Sequence, residues 1–341
     1  MYESLGLPLS APQAAVAFGL LLGLAFGALA EVTRFCLRRA VAGDPGERLP
    51  AAGVWAAALA AAILGTQGAV AMGWIGFGGH RFMASEVPVL AIVPGGLLFG
   101  AGMVLTRGCI SRLTVLSGTG NLRALTVLVV FAVVAHAALT GVLAPLRVAA
   151  GSVTVSMDPA LPLAAGAVLA LGALLLAVRS GARPLHLGLA ALIGALVPLG
   201  WVGTGLVLYD DFDPIAMESL SFTSPMAETL FWTVASTSIP AGFGTGLVGG
   251  VIVGALALSL IGGRFSWQSF ESPAQTGRYL SGAALMGFGG VLAGGCTLGA
   301  GLSGVPTLSI AALLALVSII AGGWATAAAL RPCAPSAVPA E

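Results

Sequence analysis

The sequence predicts an all-α polytopic membrane protein with about nine transmembrane helices, several short re-entrant helices and an internal pseudo-two-fold repeat. Three observations carry this. The 341 residues are 58% hydrophobic and only 8% charged, against roughly a quarter charged in soluble domains, so lipid must be the solvent for much of the surface. The 50 glycines far exceed the usual share of about 7%, and small residues let helices in a membrane approach closely. The third observation is a duplication. VPGGLLFGAGMVLTRGCISRLTVLSGTGN at Val93–Asn121 returns as LSGAALMGFGGVLAGGCTLGAGLSGVP at Leu280–Pro306. Placing Cys109 on Cys296, 187 residues later, brings Gly95, Gly100, Gly102 and Gly108 onto Gly282, Gly287, Gly289 and Gly295.

A spanning helix needs about 20 mostly apolar residues. Nine runs qualify in chain order: Ala14–Ala30, Ala51–Trp74, Val89–Thr106, Leu122–Leu143, Leu161–Val178, Leu185–Leu208, Phe243–Ile261, Tyr279–Ala293 and Leu308–Leu330, the first and eighth being short. Ile110–Gly118, Leu230–Ile239 and Thr297–Gly304 are apolar but too short to cross. Broken backbone at membrane depth is tolerated where it is buried in protein or lines a cavity, so these pieces read as re-entrant hairpins. Pro145–Pro159 and Leu206–Thr229 read as external loops. A single integral membrane domain is expected, with repeat halves of roughly 14–143 and 185–330. The first and seventh runs share glycines at four-residue spacing, Gly19, Gly23, Gly27 and Gly246, Gly250, Gly254, and this alignment puts Cys36 on Gly263. It carries a tension. Nine crossings make the third and eighth runs opposite in direction, as an inverted repeat requires, but leave the first and seventh parallel, which suggests a miscounted span.

Arginine in the short loops sets orientation. Arg34, Arg38, Arg39 and Arg48 follow the first run, Arg179 and Arg183 the fifth, Arg264 and Arg278 flank the loop after the seventh, and Arg331 follows the last. The N-terminus is therefore expected outside and the C-terminus in the cytoplasm. The first residues lack the basic segment of a signal peptide and are expected to stay on the mature protein. All 14 basic residues are arginine, and the net charge of +1 offers no footprint for nucleic acid.

Four cysteines are present, Cys36, Cys109, Cys296 and Cys333. No CxxC and no Cys/His cluster with metal spacing occurs, so no metal and no cofactor is expected. Cys333 lies in a proline-containing tail and reads as incidental. A buried cysteine is usually a small hydrophobe. Cys109 and Cys296 depart from that reading, because each follows a glycine, Gly108 or Gly295, at equivalent helix breaks where backbone can approach a ligand. Cys36 sits among Glu31, Arg34, Arg38 and Arg39. A thiol offers a weak S–H donor and a soft sulfur, and conduction needs sites that bind weakly enough to release. Such thiols suit a soft, sulfur-containing anion better than phosphate. Arg107 and Arg112 flank Cys109; they either snorkel to the headgroups or gather anions in a vestibule. Glu31 is read as an ion pair with Arg34 one turn away. No Walker, GxSxG or HExxH pattern points to ATP or hydrolysis.

RFCLRR at Arg34–Arg39, GMVLTRGCISR at Gly102–Arg112 and GGVLAGGCTLGAGLSG at Gly289–Gly304 together resemble the YeeE/YedE family of bacterial inner-membrane proteins, over about Ala14 to Leu330. The resemblance implies an hourglass of spanning and intruding helices, thiosulfate uptake as a sulfur source, and functional cysteines at Cys36, Cys109 and Cys296. Many members work with a TusA-like cytoplasmic sulfur carrier, and some are linked to selenium, so a selenium compound is an alternative cargo. Two rival readings stand beside transport: a membrane thiol oxidoreductase or sulfurtransferase forming persulfides, in which Cys109 and Cys296 meet in space, and a structural subunit with cysteines that only pack. The transport reading expects Cys109 and Cys296 to face one shared polar gap at the centre of the bundle.

Overall fold

The computed structural model describes residues 9–210 and 214–330. The expectations for the first residues, Arg331 and Cys333 fall outside them. The helices are α1 (Ala11–Thr33), α2 (Leu37–Ala42), α3 (Pro45–Ala71), α4 (Val89–Leu105), α5 (Ile110–Gly118), α6 (Leu122–Leu139), α7 (Ala144–Gly151), α8 (Leu163–Arg179), α9 (Pro184–Val202), α10 (Thr223–Ala235), α11 (Phe243–Ile261), α12 (Pro273–Leu292) and α13 (Ile310–Ala329), with π-helical stretches at Gly203–Val207 and Thr297–Gly304. Among the described residues, eight helical stretches are long and apolar enough to cross a membrane, and α8, the fifth run, is apolar but shorter. The chain is an all-α polytopic membrane protein. A single pair of two-residue strands, Glu86–Val87 with Val155–Ser156, ties the loop before α4 to the segment after α7.

Several expectations need correction. The first and eighth runs are not short: α1 has 23 residues and α12 has 20, because polar and proline residues at their N-terminal ends continue the helix. The re-entrant piece expected at Leu230–Ile239 begins earlier, as α10. Within the segment expected as the external loop Leu206–Thr229, Leu220 and Phe222 are fully buried. Its polar residues misled the reading, since they cap and line rather than face bulk water. Pro145–Pro159 carries α7, which buries none of its residues.

Glycine sets the packing. A Cβ on Gly19, Gly23 or Gly27 would strike the backbone of Phe243, Leu247 or Val251, and Gly246, Gly250 and Gly254 meet α1 in the same way. These contacts advance together along both helices, so α1 and α11 lie side by side in the same direction. An in-plane two-fold relates helices of opposite direction, so α1 and α11 are packing partners rather than repeat mates. The alignment of Cys36 on Gly263 fails for that reason. A matching parallel pair exists elsewhere: Gly194 of α9 rests on Ala58 of α3, and Gly65 of α3 on Pro198 of α9.

By contrast, α4 and α12 cross antiparallel, with Gly95 against Gly289 and Ala293, and Gly102 against Gly282 and Met286. The 187-residue interval converts the Gly95–Gly289 contact into the Gly282–Gly102 contact. It also carries Gly100, seated on Ile319 and Gly323 of α13, onto Gly287, seated on Phe131 and Ala135 of α6. The same interval maps α5 onto the π-helical stretch Thr297–Gly304.

Candidate functional site

Each buried cysteine is placed by the same local device. Helix α1 stops at Arg34 (φ 50°), α4 at Arg107 (φ 59°) and α12 at Gly294 (φ 74°). In each case the next N–H reaches five residues back: Phe35 to Ala30 at 3.2 Å, Gly108 to Met103 at 3.1 Å and Gly295 to Gly290 at 2.9 Å. This is the left-handed helix stop that satisfies otherwise orphaned carbonyls. The cysteine falls two residues after the left-handed residue, in extended conformation, as the N-cap of the following short helix. Helix α11 ends the same way at Gly263 (φ 61°), but Phe265 stands where a cysteine would.

Two of the three sulfurs touch. Cys36 and Cys109 meet, with Sγ atoms 3.9 Å apart, and Cys109 Sγ is 3.3 Å from Ser111 Oγ. Cys296 makes no such sulfur contact among the described residues, and its Sγ accepts the Gly299 N–H at 3.4 Å. The pairing of Cys109 with Cys296 expected by the enzyme reading is replaced by Cys36 with Cys109. The duplicated motif concealed this because Cys36 comes from a helix outside the α4/α12 pair. All three side chains are buried and free.

A run of aromatic rings starts beside Cys36. Phe35, beside Cys36, meets Phe26 edge-on at 6.3 Å, and Phe26 meets Phe222 at 5.7 Å. Phe222 is followed by α10 and preceded by Ser221, whose hydroxyl borders Gly299.

The charged residues divide by position. Arg112 is nearly buried; its Nη1 donates to the Ala30 carbonyl at 3.1 Å and lies 3.6 Å from Glu31 Oε2. Arg264 reaches the other Glu31 oxygen at 3.5 Å. Glu31 therefore pairs with Arg112 and Arg264 instead of Arg34. The left-handed backbone turns Arg34 away, and its carbonyl accepts from Arg39 Nη1 at 3.3 Å. Glu31, Arg34, Arg39, Arg183 and Arg264 line a cavity of about 580 Å³ at this end. Arg107 is exposed and borders a separate groove with Arg38, Arg48 and Arg278. Gly108 and Gly295 are tight: a Cβ would press on Leu113 at 3.2 Å and on the Ala300 amide at 2.8 Å.

At the opposite end, on the Cys296 side, lies a cavity of about 360 Å³ that the sequence reading missed. His80, Arg81, Trp201, Glu218, Ser221, Ser224, Glu228 and Gly299 are among its walls. Trp201 is 3% exposed and among the described residues its Nε1–H has no hydrogen-bond partner, as is also true of the buried Thr297 hydroxyl beside Cys296. Burial and the neighbouring Arg81 hold His80 down to about 4, consistent with its Nδ1 accepting the Phe82 amide at 3.3 Å. Arg81 is then the cation of this cavity at neutral pH, within electrostatic reach of Cys296, Glu218 and Glu228. A lone arginine between glycines and an acidic loop carried no periodic signal. The four-residue alternation of the spans could not have found it.

The arrangement presents two cavities at opposite ends, a cation at each, and buried thiols between them. Residues 32–325 match the sulphur-transport family. A 78-residue stretch is 37% identical to a protein of Spirochaeta thermophila named thiosulfate transporter TsuA, covering 23% of this chain and 24% of that protein. A 138-residue stretch is 32% identical to the Escherichia coli protein of the same name, covering 40% of this chain and 36% of that one. These matched stretches thus span well under half the length of either relative. With a match across most of its length, and with the segments that suggested YeeE/YedE inside that match, this chain belongs to the sulphur-transport family.

Proposed function

We propose that this protein takes up thiosulfate across the bacterial cytoplasmic membrane, handing the anion from the Arg81 cavity past Cys296 to Cys36 and Cys109, and out beside Arg112. The observation that carries this reading is the placement of free, buried thiols between two arginine-bearing cavities. Arg81 attracts the dianion, and the Trp201 N–H and the Ser221 and Thr297 hydroxyls lie where its oxygens need donors. Its terminal sulfur finds the soft S–H groups. Gly108 and Gly295 keep the backbone beside each thiol free of side chain. Each contact is weak, and passage needs release as much as binding. The names of the two relatives support thiosulfate as the cargo; a selenium analogue of similar shape is the alternative within the same mechanism.

Orientation follows from arginine. The ends of α1, α4, α8 and α11 and the starts of α3, α6 and α12 carry most of it, whereas the opposite end holds Arg81 and Arg147. The arginine-rich end is then cytoplasmic, the N-terminus lies outside and the C-terminus inside. Arg34, Arg39 and Arg183 give a TusA-like sulfur carrier a basic surface to meet, with Arg107 on the same face. The halves, roughly 14–143 and 185–330, are read as a duplication of opposite topology.

Transport needs no covalent step, so the protein is read as a carrier and not as an enzyme. The Cys36–Cys109 contact of 3.9 Å favours one rival, a dithiol that forms a persulfide, and intact-protein mass spectrometry during turnover separates the two: the transport reading expects no sulfur adduct. The primary test is uptake of labelled thiosulfate by Cys109→Ala and Cys296→Ala variants at equal expression. Each is expected to lose at least about tenfold in rate, the loss of about 1.4 kcal/mol of transition-state stabilisation. Undiminished uptake in both ends the proposal.

A further inference from the structure

The Arg81 cavity holds more acid than its assumed task suggests. Glu218 comes from the segment after α9 and Glu228 from α10, and both face the same space as Arg81. The Glu218 backbone is fixed on both sides by Thr204, whose Oγ1 accepts the Glu218 N–H at 2.9 Å and donates to its carbonyl at 2.8 Å. Thr204 belongs to the π-helical turn Gly203–Val207, so the carboxyl is held at the wall rather than carried on a loose loop. Neither carboxylate makes an ion pair with Arg81 within 4 Å among the described residues. Among the described residues, the charged and titratable groups around Glu218 are Arg81 and His80 from the loop before α4, Glu228 from α10, and the buried Cys296 thiol behind Gly299. The unpartnered Trp201 Nε1–H, in the same wall, is a donor waiting for an acceptor.

The charge count decides what this space accepts. With both carboxyls ionised and His80 neutral, the described walls of the cavity carry one more negative than positive charge. An incoming dianion would then meet net repulsion in a half-desolvated space, where like charges disfavour each other strongly. With the carboxyls protonated, Arg81 stands alone, and the acids turn from repelling groups into O–H donors.

We propose that capture of a dianion in the Arg81 cavity is linked to protonation of Glu218, with Glu228 as a second, more open acid, so that the outer mouth binds its anion together with a proton. This rests on the thiosulfate-uptake reading above and adds to it the condition under which the cavity loads. The chemistry is a proton equilibrium: a carboxylate takes a proton from the outer solution as the anion enters and returns it when the anion leaves. Burial, reinforced by the Glu228 charge, pushes the Glu218 carboxyl up to about 7, which places the change in the neutral range. Below that value the acid is neutral and the anion binds; above it the carboxylate repels.

The test uses the full-length protein in liposomes, with labelled thiosulfate outside and lumen pH held constant. In the wild type the half-saturating thiosulfate concentration is expected to rise about tenfold from external pH 6 to pH 8, following the protonated fraction of one acid. The maximal rate changes much less. Glu218→Gln is expected to keep a low, nearly pH-independent half-saturation. Calorimetry of thiosulfate binding in two buffers of different ionisation enthalpy is expected to give about one proton taken up per anion near pH 8. A flat wild-type profile, or a Glu218→Gln protein with the wild-type slope, overturns the linkage while leaving thiosulfate uptake standing. If Glu218→Gln does not fold, the wild-type profile and the proton count decide alone. Absence of uptake at every pH overturns the functional reading itself.

Discussion

At the scale of single residues, the three cysteines were legible and their grouping was not. Cys109 and Cys296 stood out because the sequence repeats around them. The 3.9 Å contact of Cys109 with Cys36 depends on how α1 and α5 meet, which no spacing encodes. The helix stops show the same division. Gly294 advertises a left-handed residue, whereas Arg34 and Arg107 adopt that conformation without glycine, so their places in the pattern had no sequence sign. A non-glycine residue in the left-handed region costs roughly 1 kcal/mol. Two substitutions at equivalent stops are therefore expected to act with opposite sign: Arg107→Gly raises stability and Gly294→Ala lowers it, each by about 1 kcal/mol less the glycine chain-entropy difference. Nothing lies within 4 Å of a Cβ at Gly294, so only conformation is tested there. Unfolding in detergent, followed by thermal denaturation, reads both, and shifts of the same sign would contradict the account.

At the scale of elements, the nine apolar runs were found because the bilayer demands length and apolarity together. What escaped was the polar backbone that enters the protein without crossing it. Ser219, Leu220 and Phe222 are buried in a stretch whose composition reads as loop. Polar groups are affordable there because Thr204 and Val197 satisfy them, the latter accepting the Ser219 hydroxyl at 2.8 Å. The glycine stripes were legible as helix contacts, but their partners were not, since spacing alone fits a parallel or an antiparallel neighbour. The contacts now make a sharp contrast available. Gly23 and Gly250 face each other where α1 and α11 pack, whereas a Cβ on Gly172 of α8 meets nothing within 4 Å. Gly23→Leu and Gly250→Leu force two backbones apart and are expected to cost about 3 kcal/mol or more, seen as loss of folded protein on size-exclusion chromatography. Gly172→Leu is expected to leave yield and elution unchanged. Equal behaviour of all three would remove the stripe from the account of packing.

At the scale of the whole molecule, the inverted crossing of α4 and α12 puts one sulfur site toward each end. Cys296 lies behind the cavity of Arg81, and Cys36 with Cys109 lies toward Arg112 and the arginine-rich end. The chain of Phe35, Phe26 and Phe222, with ring centroids 6.3 and 5.7 Å apart, starts beside Cys36 and ends next to Ser221, which borders Gly299 near Cys296. In this conformation the two cavities should therefore answer to opposite sides of the membrane, which the sequence anticipated only through its arginine loops. Ser224 in the wall of the Arg81 cavity and Arg34 in the wall of the other make the test direct. In a Cys333→Ser background, Ser224→Cys is expected to react with a membrane-impermeant thiol reagent added to intact cells or right-side-out vesicles. Arg34→Cys is expected to react only in inverted vesicles, and the native thiols, all buried, give little background. The reverse pattern would turn the protein over and make the Arg81 cavity the cytoplasmic mouth. Reaction of either residue from both sides would mean that the aromatic chain does not close the path.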